Sequence, residues 1–259
     1  MIVVSSKLTL SLRVLGTRAD GFHDLEALTV AIDEPHDELT VDAAARTTIV
    51  VSGPFAAGVP LDGTNLAVRA AELAGVPVAI TLHKGIPHGA GLGGGSADAA
   101  AVLVALGRPD LAAELGSDVP FCVHGDAAWM RGRGEILEPA AVPALDIVIA
   151  VPPFGCSTPA VYRAWDDLGG PTGRTVDGGV TGLPPLGNDL EPAAEHVEPR
   201  LAAFRRSVEA AAGRPALLAG SGSAYAVIAS GDADLHTRVQ RAVGGAVGGA
   251  VFAASYLPC

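Results

Sequence analysis

Lys84-Gly-Ile-Pro-His-Gly-Ala-Gly-Leu-Gly-Gly-Gly-Ser96-Ala-Asp-Ala-Ala100 is the stretch on which the reading of this chain turns. Gly89, Gly91, Gly93, Gly94 and Gly95 lie between an apparent strand, Val78–His83, and an alanine-rich segment that reads as a helix from Ser96. Glycine tolerates positive φ and lets a ligand approach the backbone closely. A helix N-terminus beyond it adds unpaired N–H groups and a positive dipole end, a combination that favours phosphate. Ser96 is expected to cap that helix or to turn its hydroxyl toward a phosphate-bound metal ion. The pattern predicts a nucleoside triphosphate site. It is not a Walker A loop, which needs Lys directly before Ser or Thr, whereas Gly95 precedes Ser96. Gly89-x-Gly91-x-x-Gly94 fits the dinucleotide fingerprint only formally, because no second strand ends in a ribose-binding acid. A flexible linker would not be flanked so tightly by strand and helix.

Working outward, 259 residues suffice for one large domain or two modest ones. No apolar run reaches membrane-spanning length, and the start lacks a signal-peptide pattern. Cys122, Cys156 and Cys259 are odd in number and widely spaced, which predicts neither a disulfide framework nor a zinc site. Cys122 and Cys156 read as small core residues, Cys259 as a mobile terminal thiol, and the cytoplasm is the expected compartment. A net charge of −11 argues against nucleic acid or anionic membrane as a partner, and a monomer or weak homodimer is expected. The chain has two lysines, Lys7 and Lys84, against fifteen arginines. A lysine kept in such a chain points to a place that needs a compact ammonium.

Leu8, Leu10, Leu12 and Val14 alternate with Lys7, Thr9, Ser11 and Arg13, which predicts a half-buried strand with Lys7 and Thr9 on its polar face. Further strands are expected near 25–33, 38–42 and 47–52, a helix over 65–74 and a short one over 110–115. A hairpin is expected to turn at Gly132-Arg133-Gly134. A β-branched run at 145–151 opens a second block, and Ser157-Thr158-Pro159 reads as a capped helix start. Residues 169–185 read as loop or disorder. Helices near 189–197, 199–212 and 233–243 and strands near 216–219, 224–229 and 250–256 complete the chain, with a second glycine turn at Gly220-Ser221-Gly222-Ser223. The mixed order predicts an α+β fold, divided at 1–142 and 143–259.

Four separated segments then converge: Ser5-Ser-Lys7-Leu-Thr9-Leu, Ala19-Asp-Gly-Phe22-His23-Asp-Leu25, the glycine loop, and Leu115-Gly-Ser-Asp118-Val-Pro-Phe121. Asn65-Leu-Ala-Val-Arg69, Gly132-Arg-Gly-Glu-Ile136, Asn188-Asp-Leu-Glu191 and Gly220-Ser-Gly-Ser223 continue the match in order along nearly the whole chain. Together they resemble the GHMP small-molecule kinases, most closely the members that use ATP to phosphorylate a CDP-linked sugar alcohol of the non-mevalonate isoprenoid pathway at its 2-position. The resemblance implies a domain like ribosomal protein S5 domain 2 followed by a ferredoxin-like one, with ATP and Mg2+ as cofactors. It implies that Asp118 is the catalytic aspartate and Lys7 its partner. Gly89, Gly91, Leu92, Gly93, Gly94, Gly95 and Ser96 would hold the triphosphate, Ser96 being the metal candidate, with Asn65 and Lys84 near the adenosine. Phe22 and Tyr162 would sandwich cytosine, His23 would hydrogen-bond it, and the turn Gly220, Ser221 and Gly222 would face the substrate.

The chemistry is coherent without the name. Phosphoryl transfer needs in-line positioning and charge neutralisation more than covalent help. A free aspartate, with a pKa of about 3.9, is a poor base for an alcohol, so Asp118 is expected to orient the hydroxyl and take its proton late. The lysine beside it would also stabilise charge on the transferring group. Two departures stand out from the family pattern. Thr9 replaces a usual asparagine in the substrate region, and a hydroxyl lacks an amide's separate donor and acceptor. His88 replaces an apolar residue on the adenine side, and the helices after Asn65 and after Ser96 are shortened. Thr9 and this compaction keep open a kinase for another alcohol, and a non-catalytic nucleotide-binding paralogue is the remaining alternative.

Overall fold

The protein's structure is a computed structural model that describes residues 1–229, 231–244 and 249–258; Cys259 lies outside the described residues. Two long strands organise the first sheet. β1 (Ile2–Thr17) pairs antiparallel along its length with β2 (His23–Ala43). The sequence suggested two strands at 25–33 and 38–42, but one strand runs through both. The register jumps from Ser5↔His36 to Ser6↔Ile32, so residues 33–35 bulge out of the ladder around Pro35, which has no N–H to donate. β3 (Thr48–Ser52) lies parallel to β4 (Val78–His83), and β4 pairs with residues 38–43 of β2. β5 (Ala128–Gly132) pairs with residues 25–29 of β2 and forms the expected hairpin with β6 (Ile136–Pro139).

The second sheet is antiparallel, built on β7 (Leu145–Val151). Two further strands of the second block, β8 (Thr175–Val176) and β9 (Leu186–Asn188), instead join the first sheet. There β9 runs parallel to β1 through Ser11↔Gly187 and Leu12↔Asn188. Residues 1–142 therefore do not make the first sheet alone, and the segment expected to be loop or disorder carries one of its strands. Order in the second sheet is β10 (Leu217–Leu218), β11 (Tyr225–Ile228), β7 and β12 (Ala250–Tyr256).

Helices cover the outer faces. α1 (Leu66–Ala74), α2 (Gly94–Ala105), α3 (Ala112–Leu115) and α4 (Val119–His124) pack with Val4, Leu39, Ile80 and Leu82 of the first sheet. α5 (Thr158–Asp167), α6 (Glu191–Val197), α7 (Arg200–Ala212) and α8 (Leu235–Val239) pack on the second sheet around Phe204, Val208 and Tyr225. The helix expected over 233–243 ends at Val239 and continues as a wider turn, Gln240–Gly244. Between the layers, Leu8, Leu10, Leu28 and Val30 meet Ile147, Ile149, Leu217 and Ala226 in one dry core. Burying whole faces of both sheets against each other is the main driving force for their association. No helix among the described residues is long and apolar enough to cross a membrane.

Polar groups lock the crossing of the two halves. Asn188 donates through Nδ2 to the carbonyls of Leu218 and Gly220 at 2.9 and 2.6 Å, and its Oδ1 accepts from Leu190 N at 2.9 Å. Asp189 accepts from Arg13 Nη1 at 2.8 Å, Val14 N at 3.1 Å and Gly173 N at 3.0 Å. Because Asp189 is committed to β1, α6 begins at Glu191 rather than at 189 as the sequence suggested. Replacing Asn188 by alanine leaves buried carbonyls and an amide unpaired. Urea unfolding of Asn188→Ala is expected to show a loss on the order of 2–4 kcal/mol; a loss below about 1 kcal/mol would contradict this role.

Candidate active site

The glycine loop sits where the two halves meet. α2 begins at Gly94, not at Ser96, because Gly93 takes the N-cap position with φ +74 and its carbonyl accepts from Ala97 N at 2.9 Å. Ser96 therefore does not cap the helix. It is the third helical residue, and it lines the main cavity. Two glycines are required by contact as well as by conformation. A Cβ on Gly91 would lie 1.9 Å from Ala219 O, and one on Gly93 would lie 2.7 Å from Lys7 Cγ. The loop is tied down from both sides: Lys7 N donates to Leu92 O at 3.0 Å, and Ala224 N donates to Ala90 O at 3.0 Å. Leu92 acts through that carbonyl and a buried side chain.

Period-two alternation places Lys7 and Thr9 on one face of β1, as expected. That face is not solvated: Lys7 and Thr9 are buried, because the glycine loop and α2 cover it. Lys7 Nζ lies 3.3 Å from Asp118 Oδ2 and donates to Thr9 Oγ1 at 3.3 Å. Thr9 Oγ1 also accepts from Thr29 Oγ1 at 3.4 Å. Asp118 stands at the N-cap position of α4 but makes no cap hydrogen bond. Its carboxylate is 38% exposed, directed to Lys7 and the cavity instead of to its own helix.

The main cavity has a volume of about 720 Å³ and runs from this pair to an aromatic end. His23 stacks on Tyr162 with centroids 4.8 Å apart and meets Trp165 edge-on at 5.5 Å. Its Nε2 is 2.9 Å from Asp166 Oδ1, which also accepts from Thr17 Oγ1 at 3.1 Å. Burial, with Asp118 adding, pushes the Tyr162 phenol well above its ordinary range, so the ring stays neutral. Phe22 is half exposed and carries the Arg133 guanidinium 4.8 Å above its ring centroid. Gly220 and Ser221 line the opposite wall, with Ser221 Oγ 2.7 Å from Thr158 Oγ1. Gly222 does not line the cavity; it turns away, packed toward Leu218 and Cys156. Ser157 occupies the N-cap position of α5 but makes no side-chain cap bond.

A smaller cavity of about 290 Å³ adjoins the other side of the glycine loop, with His88 on the wall of both. Asn65 and Lys84 line it as expected, yet their polar groups are engaged within the protein. Asn65 Oδ1 accepts from Ala67 N at 2.9 Å to cap α1, and its Nδ2 donates to Pro60 O at 2.8 Å. Lys84 is buried between two carboxylates, Asp37 and Asp98, the latter at 2.9 Å. Burial lowers the Lys84 pKa, but Asp98 and Asp37 raise it by more, so the ammonium persists. Asp37 Oδ1 accepts from Gly85 N and Ile86 N at 2.7 and 2.8 Å, fixing the chain as it leaves β4. Burial pushes Asp98 well above the carboxylate range, Asp37 adding to this and Lys84 opposing it; its Oδ1 has no partner. Lys84 is thus a brace between strand and helix, not a free cation for phosphate.

Among the described residues no three His, Cys, Asp or Glu side chains cluster to hold a metal ion. Mg2+ commonly takes one or two protein oxygens plus phosphates and water. The Ser96 hydroxyl, on the cavity wall, fits that sparse donor set. Arg133, Arg163 and Asp166 also line the main cavity and were missed in the sequence. The usable signal was helical spacing, since Pro159, Tyr162, Arg163 and Asp166 fall on one face of α5. Asp37 was missed because 47 residues separate it from Lys84.

Lys84→Met would leave two buried carboxylates without their cation. Such breaks cost about 3–5 kcal/mol, so a large drop in the urea midpoint is expected; an unchanged midpoint would refute the brace.

Residues 65–126 match the family described as GHMP kinases N terminal domain. A 4-diphosphocytidyl-2-C-methyl-D-erythritol kinase from Cereibacter sphaeroides is 40% identical over 84% of this chain and 85% of its own length. One from Salinispora tropica is 41% identical over 89% of this chain and 84% of its own. A crystal structure of 4-(cytidine 5'-diphospho)-2C-methyl-D-erythritol kinase superposes with a TM-score of 0.74 at 34% identity, covering 98% of both chains.

Proposed function

The chain belongs to the 4-diphosphocytidyl-2-C-methyl-D-erythritol kinase family of the GHMP kinases, and from that premise we propose that it transfers the γ-phosphoryl group of ATP to the 2-hydroxyl of 4-diphosphocytidyl-2-C-methyl-D-erythritol, a step of non-mevalonate isoprenoid synthesis. The observation that carries the reading is the Lys7–Asp118 pair, 3.3 Å apart, at the base of a cavity bounded by the glycine loop on one side and Phe22, His23 and Tyr162 on the other. Backbone N–H groups at the start of α2 receive the triphosphate. With ATP on the loop and the acceptor in the main cavity, the hydroxyl meets the γ-phosphate beside Asp118. The Asp118 carboxylate, one oxygen of which faces Lys7, orients that hydroxyl and accepts its proton as the bond to phosphorus forms. Lys7, buried and therefore weakly screened, keeps Asp118 in place and offsets the charge spread over the transferring oxygens. Mg2+, held through the phosphates and Ser96, would neutralise phosphate charge. Effective orientation of this kind carries most of the rate in phosphoryl transfer.

The adenosine end falls to the smaller cavity, where Asn65 and Lys84 shape the wall rather than ligate. The aromatic end would take the cytosine between Phe22 and Tyr162, with His23 bonding its edge. In the present structure His23 covers Tyr162 and Arg133 covers Phe22. Base binding therefore requires both to yield, and stacking contributes about 1–3 kcal/mol per ring in return. Thr9 favours one second reading, a kinase for a different small alcohol. Its single hydroxyl already serves Lys7 and Thr29, leaving less for the acceptor than an amide would.

Incubation with Mg-ATP and 4-diphosphocytidyl-2-C-methyl-D-erythritol, followed by mass spectrometry, is expected to give a singly phosphorylated product. Absence of transfer by a preparation that binds ATP would move the assignment to another alcohol. Asp118→Asn is expected to lower kcat by at least about a hundredfold with ATP affinity preserved. Near-normal turnover in that variant would overturn the mechanism.

A further inference from the structure

We propose that Arg163, with Arg133, forms the subsite for the diphosphate of the CDP-linked acceptor, so that the protein selects its substrate by that charge as well as by the base. The inference rests on the reading above and deepens it. Arg163 follows Tyr162 on α5, and the cavity-lining residues Thr158, Pro159, Tyr162, Arg163 and Asp166 make one continuous stripe of that helix. At helical spacing, Arg163 shares its face with Pro159, one turn toward the helix start, and with Asp166, just under one turn beyond it.

Charge accounting around the cavity isolates these two guanidiniums. Arg13 is committed to Asp189 at 2.8 Å, and Arg18 to Asp20 at 3.1 Å. Arg46, Arg69, Arg163, Arg206 and Arg241 have no ion pair among the described residues, and of these Arg163 alone lines the cavity. Its carboxylate neighbour on α5, Asp166, already accepts from Thr17 Oγ1 and sits against His23 Nε2. Arg133 has only a distant partner, Glu135 at 4.0 Å, and rests on the Phe22 ring. In a chain of net charge −11, one cation without an ion pair and one with only a distant partner on a cavity wall call for an anionic ligand. The triphosphate of ATP is served by the glycine loop at the far end. The acceptor's diphosphate must cross from the aromatic end toward Asp118, past these arginines. Arginine presents a planar fork that suits two neighbouring phosphate groups. Displacing Arg133 from Phe22 onto the diphosphate would also open that ring to the base.

Two measurements test this. In steady-state kinetics, Arg163→Gln is expected to raise KM for the acceptor at least about tenfold, with KM for ATP unchanged and kcat within about threefold. Calorimetry would compare cytidine 5'-diphosphate with cytidine: the wild type is expected to prefer the diphosphate, and Arg163→Gln and Arg133→Gln to lose most of that preference. An unchanged preference in both variants would overturn the inference, as would a rise in KM for ATP instead of the acceptor. If the wild type neither binds the two cytidine ligands nor transfers phosphate to the acceptor, the substrate reading falls and the subsite with it. Transfer and binding with no preference for the diphosphate would sink the subsite alone.

Discussion

The site depends on one steric constraint: the glycine loop must pass within contact distance of a buried side chain and of another backbone at once. On one side lies the Lys7 side chain, rising from β1, and on the other the turn that begins at Ala219. No side chain larger than hydrogen fits at Gly91 or Gly93 without moving one of those walls. The same squeeze aims the N-terminus of α2 at the cavity and fixes Lys7 beneath it. Hydrogen bonds from Lys7 N to Leu92 O and from Ala224 N to Ala90 O hold the loop at that separation. The shape of the loop is consequently a property of the interface between the two halves, not of the loop alone.

Two buried polar assemblies hold that interface and the loop's root. Asn188 and Asp189 join β1 to the second glycine turn, so the wall bearing Gly220 and Ser221 keeps step with the strand bearing Lys7. Asp37, Lys84 and Asp98 join β2, the exit of β4 and α2 beneath the loop. Buried ion pairs add little net stability compared with apolar replacements, but they impose a specific geometry and punish removal of one member. That rigidity suits the ligand role proposed for the loop, since a preorganised site need not rearrange to meet charge. Asp118 is the complementary case. It makes no cap on α4 and directs its carboxylate to Lys7 and the cavity, so α4 gives up some local stability for that pairing.

Much of this was legible in the chain. The strand–glycines–helix order, the alternation that puts Lys7 beside Thr9, the hairpin at Gly132–Gly134 and the scarcity of lysine each follow from local rules of backbone and side chain. Local rules also misled in particular places. Ser96 looked like a cap because serine favours that position, but a glycine with positive φ had already ended the loop. Polar residues on β1 suggested a solvated face, whereas the loop and α2 cover it. The resemblance put Asn65 and Lys84 near the adenosine; both line the smaller cavity, but their polar groups are engaged within the protein.

The sequence by itself determined which segments carry the glycine loop, the Lys7–Asp118 pair and the aromatic end, because these rest on conformational preferences and motifs local to each segment. Tertiary structure alone decided which polar groups remain free to act. Asp37 reaches Lys84 across 47 residues, and the second block lends β9 to the first sheet. Asn65 spends its side chain on its own helix, and Gly222 turns away from the cavity while Arg163 turns toward it. The physical reason is that a hydrogen-bonding or charged group has only a few bonding sites, and partners within the protein that fill them leave little for a ligand. Its partner is chosen by proximity in the folded molecule, which no single segment encodes.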